Sequence, residues 1–234
     1  MDPQQPSSTT IRRPHEPYDN QEQHVRADRD ASPAREDRMS TPIDGRTLRR
    51  SRNRDAVINA LLELVREGKL NPGAAQIAER AGVSHRSVFR YFDDLNDLVR
   101  TAIRQDFLEA EPLIEIASMG EGTLDERAAN LAQARVALYE RVNGTALLAR
   151  MRSNSLPDIA DERVTVAMFY REQIRQQFAD ELDKSPQAAR ESIIDACLVL
   201  TSFDSFDIHR RTLGHDNDSI VASWATSLVA LLSN

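Results

Sequence analysis

From about residue 51 onward the apolar residues recur at three- and four-residue spacing, and runs of strict apolar–polar alternation are absent. Val57, Leu61 and Val65 stack at i+4 with Ile58 and Leu64 beside them, which predicts a helix from about Ser51 to Glu67, stopped by Gly68. Asn71-Pro72-Gly73 then reads as a turn. Ile77, Ala78 and Ala81 make one apolar face of a short second helix, and Gly82 turns the chain through a positive φ. Ser84 supplies an N-cap oxygen for a third helix, with Val88, Phe89 and Phe92 as its core face. Ala78 is small where the third helix crosses it, and Val88 fills the angle between the two. A small residue, a glycine four positions on and a branched apolar residue six further is the pattern of a helix-turn-helix.

The periodicity continues to the end of the chain. Leu95, Leu98, Val99, Ile103 and Phe107 predict a fourth helix, about Asn96 to Glu109, capped by Asp93-Asp94. Thr123 with Glu126 is a capping box for a fifth helix to about Asn143. Gly144 is read as its end, and Thr145 to Ser153 as a short sixth helix. Pro157 opens a seventh, in which Val166, Tyr170, Ile174, Phe178 and Leu182 form an i+4 stripe. Ser185-Pro186 reads as an N-cap and N1 pair opening an eighth helix through about Leu213, apolar almost all round from Ile193 to Leu200. Gly214 ends it, and Asp216 or Asp218 caps a ninth helix with two apolar stripes. Two stripes need two partners: the chain's own core, and either more of that core or a second subunit packed as a four-helix bundle. The residues expected at such an interface are Ile194, Leu198, Trp224, Leu228 and Leu231. The fold expected is all-α with about nine helices.

Composition changes this picture at the ends. Residues 1–44 hold six prolines, many polar residues and almost no apolar periodicity, so they are expected to be a disordered tail. That segment has no apolar stretch resembling a secretory signal, and no run of about 18 apolar residues suggests a membrane span. The single cysteine, Cys197, excludes an internal disulfide and fits a reducing cytoplasm. The net charge of −7 is uneven: residues 45–104 carry twelve Lys/Arg against seven Asp/Glu, whereas 105–234 carry twelve against twenty-one. Only the motif-bearing segment is basic, the footprint of a DNA-binding module on an acidic body.

The candidate chemistry follows the charge. His85, Arg86, Ser87, Arg90 and Tyr91 project from the third helix away from its core face, as donors suited to base edges and groove phosphates. Arg49, Arg50, Arg52 and Arg54 lie just before the motif and are expected to contact phosphate, whereas Arg12-Arg13 reads as solvated tail. No metalloprotease, paired-cysteine, nucleophile-elbow, P-loop or dinucleotide-binding pattern occurs, so no enzyme activity, cofactor or metal is expected. His209 and His215 stand in an acidic neighbourhood but lack a ligand spacing.

Taken together, Arg54, Val57-Ile58, Ala60-Leu61, Leu64-Val65 and Gly68, then Ile77-Ala78, Ala81 to Ser84, Ser87 to Phe89, Tyr91-Phe92 and Leu98, resemble the TetR family of bacterial transcriptional regulators over about residues 47–100. The resemblance implies a homodimeric repressor that binds a palindromic DNA operator and is released by a small-molecule effector. By position it assigns residues 45–94 to a helix-turn-helix head, in which Ser84 joins His85, Arg86, Ser87, Arg90 and Tyr91 in lining the groove and Arg54 holds phosphate, and 95–234 to an effector-binding and dimerisation body. It also implies an effector pocket among Phe107, Tyr139, Leu147, Met151, Phe169, Tyr170, Ile174, Cys197 and Phe203, whose apolar character suits a hydrophobic ligand. Gly73, Phe89 and Leu95 stand where the family usually has threonine, tyrosine and lysine, which shifts the phosphate-binding load toward Arg49, Arg50 and Arg52. The alternative is an architectural protein that binds DNA without sequence preference.

Overall fold

A computed structural model describes residues 45–233, with side chains from Leu48 onward. The tail expected over residues 1–44, with Arg12-Arg13, lies outside the described residues. Among the described residues all regular structure is helical.

Helix α1 (Gly45–Arg66) begins about six residues earlier than the apolar pattern alone predicts. Arg49, Arg50, Arg52 and Arg54 therefore lie on the helix itself. Gly68, at φ +85°, lets the Lys69 N–H reach back to the Leu64 carbonyl at 2.9 Å and closes α1. Helix α2 (Ala74–Arg80) starts without a side-chain cap, but the Gly73 N–H donates to the Gln76 side chain at 3.2 Å. Gly82, at φ +66°, turns the chain toward α3 (His85–Tyr91). Ser84 caps α3, its Oγ accepting from the Ser87 N–H at 3.2 Å. Ala78, Val88 and Phe92 are buried as expected, but Phe89 is 45% exposed. At about 100° per residue, Phe89 lies a quarter turn from Val88 while Tyr91 lies closer on the other side. Tyr91 accordingly packs against the core and Phe89 does not.

Helix α4 (Leu95–Glu109) is capped by Asp94, which accepts from the Asp97 N–H at 2.7 Å. A 3₁₀ turn, Glu111–Ile114, leads toward α5 (Leu124–Arg152), whose Thr123–Glu126 capping box forms as expected. Gly144 does not end α5, which runs unbroken through the expected fifth and sixth helices. Its role is steric: a Cβ there would lie 3.0 Å from both Cγ1 and the carbonyl oxygen of Val65. The glycine allows the end of α1 to press on the middle of α5.

Helix α6 (Pro157–Gln177) stops at Phe178 and continues as α7 (Ala179–Lys184), so the expected seventh helix is two. Its stripe holds, with Tyr170, Ile174, Phe178 and Leu182 buried and Val166 half-buried. Helix α8 (Gln187–Leu200) begins after Pro186, which occupies the N-cap position expected for Ser185. The Ser185 hydroxyl instead donates back to the Glu181 carbonyl at 3.1 Å. The expected eighth helix also breaks at Thr201, and Ser202 caps the short α9 (Phe203–Asp207). A π-helical turn, Ile208–Thr212, precedes Gly214 and α10 (Asn217–Leu232), which is capped by Asp216.

Three apolar clusters form the interior. The first joins α1–α4 to Leu148 and Ala149 of α5 and Ile159 of α6, so apolar packing crosses the expected boundary between residues 94 and 95. The second gathers Tyr139, Phe206 and Trp224, and the third Ile174, Phe178, Ile194, Cys197 and Leu228. Helix α10 lies along α5. No described helix is long and apolar enough to cross a membrane.

Candidate functional sites

The face that α3 turns to solvent carries His85, Arg86 and Arg90, all exposed. The Ser84 and Ser87 hydroxyls bond each other at 2.8 Å, and the Arg90 guanidinium approaches Ser87 Oγ at 3.4 Å. Arg90 also donates to the Tyr91 hydroxyl at 2.7 Å, which accepts a second bond from Asn53 of α1 at 3.3 Å. These bonds, Arg90 foremost, hold the phenol below its ordinary pKa, and the charge of Arg50 adds to the effect. Tyr91 is therefore a bridge between α3 and α1 rather than a side chain free to enter a groove, which corrects its expected outward position. It places Arg50, Arg90 and Asn53 around one hydroxyl. Phe89 presents its ring to solvent beside His85, 5.1 Å away edge to face. Arg49, Arg50 and Arg52 are exposed on α1, whereas the half-buried Arg54 lays its guanidinium 5.0 Å over the Phe92 ring. Part of its donor surface is thus turned toward the core.

A second site is a half-open cavity of about 400 Å³ lined by α4, α5, α6, α8 and the start of α9. That volume is within the range of small-molecule pockets. Four of the nine residues expected there line it: Phe107, Tyr139, Tyr170 and Phe203. The other five do not. Cys197 and Ile174 are buried in the third apolar cluster, and the thiol is pushed up to about 12 by burial. Leu147 faces a different hollow between α1 and α5, Met151 is exposed, and Phe169 packs on Tyr170 outside the cavity wall. In their place stand Ile103, Ala146, Ala149, Ile159, Val166, Ala167, Leu198, Val199 and Ser202, with Glu162, Arg163 and Asp204 as the charged members. The three alanines are the missed signal. Large apolar residues fill space, whereas small ones on facing helices leave it.

The cavity's charges are matched. Glu162 is paired with Arg104, and Asp204 with Arg150 at 2.8 Å and, more loosely, Arg163 at 3.9 Å. Deeper in, the Tyr139 hydroxyl donates to the Thr201 carbonyl at 3.1 Å while its ring meets Phe203, Phe206 and Trp224. Burial raises the pKa of both Tyr139 and Tyr170, keeping the phenols neutral.

The residues expected at a subunit interface divide in two. Ile194, Trp224 and Leu228 are fully buried within the single chain and have no surface to give a partner. Leu198 lines the cavity, and Leu231 is exposed. The outward apolar residue of α8 is Val199, 68% exposed, and those of α10 include the half-buried Val221 and Val229. The stripe was displaced because α10 lays its Ile220–Trp224–Leu228–Leu232 row on α5.

His209 and His215 place their Nδ1 atoms 3.0 Å apart, so one nitrogen donates to the other. Burial, with the neighbouring His215, holds His209 below its ordinary pKa. Among the described residues, no three His, Cys, Asp or Glu side chains gather as metal ligands. The chain matches no protein-family model and no curated protein.

Proposed function

We propose that this protein is a dimeric, sequence-specific DNA-binding transcriptional regulator of the TetR type, most plainly a repressor released from its operator by a small molecule. The observation that carries the reading is local. Two seven-residue helices joined at a glycine with φ +66° bury Ala78 and Val88 between them, and the second exposes His85, Arg86 and Arg90 beside the arginines of α1. That geometry and chemistry support the reading as a helix-turn-helix whose second helix would enter a major groove. Arg86 and Arg90 serve base edges or phosphates there, and Arg49, Arg50 and Arg52 serve phosphates.

Helix α4 supplies the connection to a ligand. Its Ile103 and Phe107 line the cavity, while its Leu98, Val99 and Ala102 pack into the cluster that holds α1–α3. A molecule filling the cavity bears directly on the element that supports the DNA-facing helix. Exposed Val199 and Leu231 offer apolar surface for the second copy that a two-fold symmetric operator demands.

The test is selection of bound fragments from random duplex DNA by the purified protein, read by sequencing. An enriched palindrome with half-sites one helical turn or a multiple apart is expected, and Arg86→Ala or Arg90→Ala should weaken binding to it by about tenfold or more. Binding at low salt with no enriched sequence would leave the architectural reading in its place.

A further inference from the structure

Among the largest fully buried side chains in the protein is a cation, Arg135 of α5, with 1% of its surface exposed. Its partners are neutral. Nη2 donates to the Gln173 side chain at 2.8 Å, the guanidinium carbon lies 3.7 Å over the Tyr170 ring, and Nη1 is buried with no hydrogen-bond partner. Arg127, two turns earlier on the same helix and nearly as buried, shows the usual arrangement: it is ion-paired with Glu181 at 2.6 Å. A buried guanidinium with an idle N–H and no carboxylate is costly, and a face-on aromatic ring offsets only part of that cost.

The position of Arg135 gives the arrangement a use. Along α5, Ala149, Ala146 and Tyr139 line the cavity, and Arg135 is one turn beyond Tyr139 on the same face. Along α6, Tyr170 is the last lining residue, and Gln173, the partner of Arg135, follows it by one turn. Tyr170 is shared: one residue both lines the cavity and lies against the guanidinium. Burial raises both phenols of this end; the charge of Arg135 works against that at both, favouring negative charge, while that of Asp204 opposes it at Tyr139. The cavity's own carboxylates, Glu162 and Asp204, are already paired with Arg104 and Arg150.

We infer that the cavity takes an elongated apolar monoanion, of the class of medium-chain carboxylates, with its hydrocarbon body against Ile103, Phe107 and Val166 and its carboxylate at the Tyr139–Tyr170 end, where Arg135 is the counter-charge. The inference rests on the reading of this cavity as the regulator's ligand site and names the ligand class. Turning the Tyr170 ring aside gives the carboxylate access to Nη1, and the fork of N–H groups then has its natural planar partner.

The test is calorimetric titration of the full chain, without DNA, at neutral pH with three ten-carbon probes: decanoate, decanol and decyltrimethylammonium. Decanoate should bind about ten- to a hundredfold more tightly than decanol, the span of one charge-assisted hydrogen bond, and the ammonium probe most weakly. In Arg135→Met the decanoate advantage should fall to within about twofold while decanol affinity holds. The wild-type comparison stands even if that variant folds poorly. Equal binding of decanoate and decanol, preference for the ammonium, an advantage retained in Arg135→Met, or no binding of any probe would each overturn the inference. An enriched operator alongside such a failure leaves the regulator reading intact. Carboxylate preference without any DNA binding leaves the ligand assignment intact and removes the regulator.

Discussion

Glu67 shows how much one exposed residue can report. It follows the last turn of α1 and receives Arg80 of α2 through two bonds, at 2.7 and 3.0 Å, with Lys69 beside it. The Arg80 hydrogen bonds, then that of Lys69, lower its pKa to about 2 from an ordinary 4.5. Because the folded value is depressed, the tie contributes stability above about pH 4.5 and loses it as pH falls toward 2. Urea midpoints for the wild type and Glu67→Gln should therefore differ at pH 6 and converge through that window; a constant gap would show that the pair carries no linked protonation. Residues of this kind are hard to read in a sequence, since Glu67 and Arg80 are thirteen positions apart with a turn between them. The caps were legible because their chemistry is local: Ser84, Asp94, Thr123 and Asp216 each bond a backbone N–H within three residues. Phe89 shows a different limit: its hydrophobicity fits a core face, but its place a quarter turn from Val88 carries it to solvent.

At the scale of elements, the breaks were the hard part. Gly144, Phe178 and Thr201 are respectively a glycine that breaks nothing, an aromatic that ends a helix and a threonine that ends another. For Gly144 the deciding contact comes from elsewhere in the chain: it is Val65, which makes an unusual prediction. Alanine in a helix interior is ordinarily worth about 1 kcal/mol over glycine. Here the added methyl meets a backbone carbonyl, so Gly144→Ala should instead destabilise the protein by about 1–3 kcal/mol, measured as a lower thermal midpoint. A raised midpoint would mean that α1 and α5 can separate freely. The cavity obeyed the same rule: its aromatic walls could be guessed, whereas the alanines that create its volume could not be told from ordinary helix filler.

At the scale of the whole molecule, one buried carboxylate gathers three helices. Asp106 of α4 is fully buried and accepts from Arg66 of α1 at 2.7 Å, from Arg141 of α5 at 2.8 Å and from the Thr145 hydroxyl at 2.5 Å. Its neighbours Ala102, Ile103 and Ala110 at i−4, i−3 and i+4 put it on the apolar face of α4, but neither arginine is near it in the chain, so the sequence does not show what would pair with it there. Asp106→Ala should cost about 3 kcal/mol in urea denaturation, because two guanidinium groups lose the charge that orients them. A loss under about 1 kcal/mol would show the arginines to be served equally well by water.

The contact of Val65 with Gly144 also has a mechanical side. Helix α1 is 22 residues long, about 33 Å at 1.5 Å per residue, and near one end Val65 presses on Gly144 of α5. A rotation of α1 about that contact has a long arm. A tilt of about 10° there would carry the level of Asn53, where Tyr91 couples α1 to α3, through roughly 3 Å, and that of Arg49 through roughly 4 Å. On the proposed reading as a two-fold DNA-binding regulator, displacements of that size would decide whether two recognition surfaces match successive turns of a duplex or miss them.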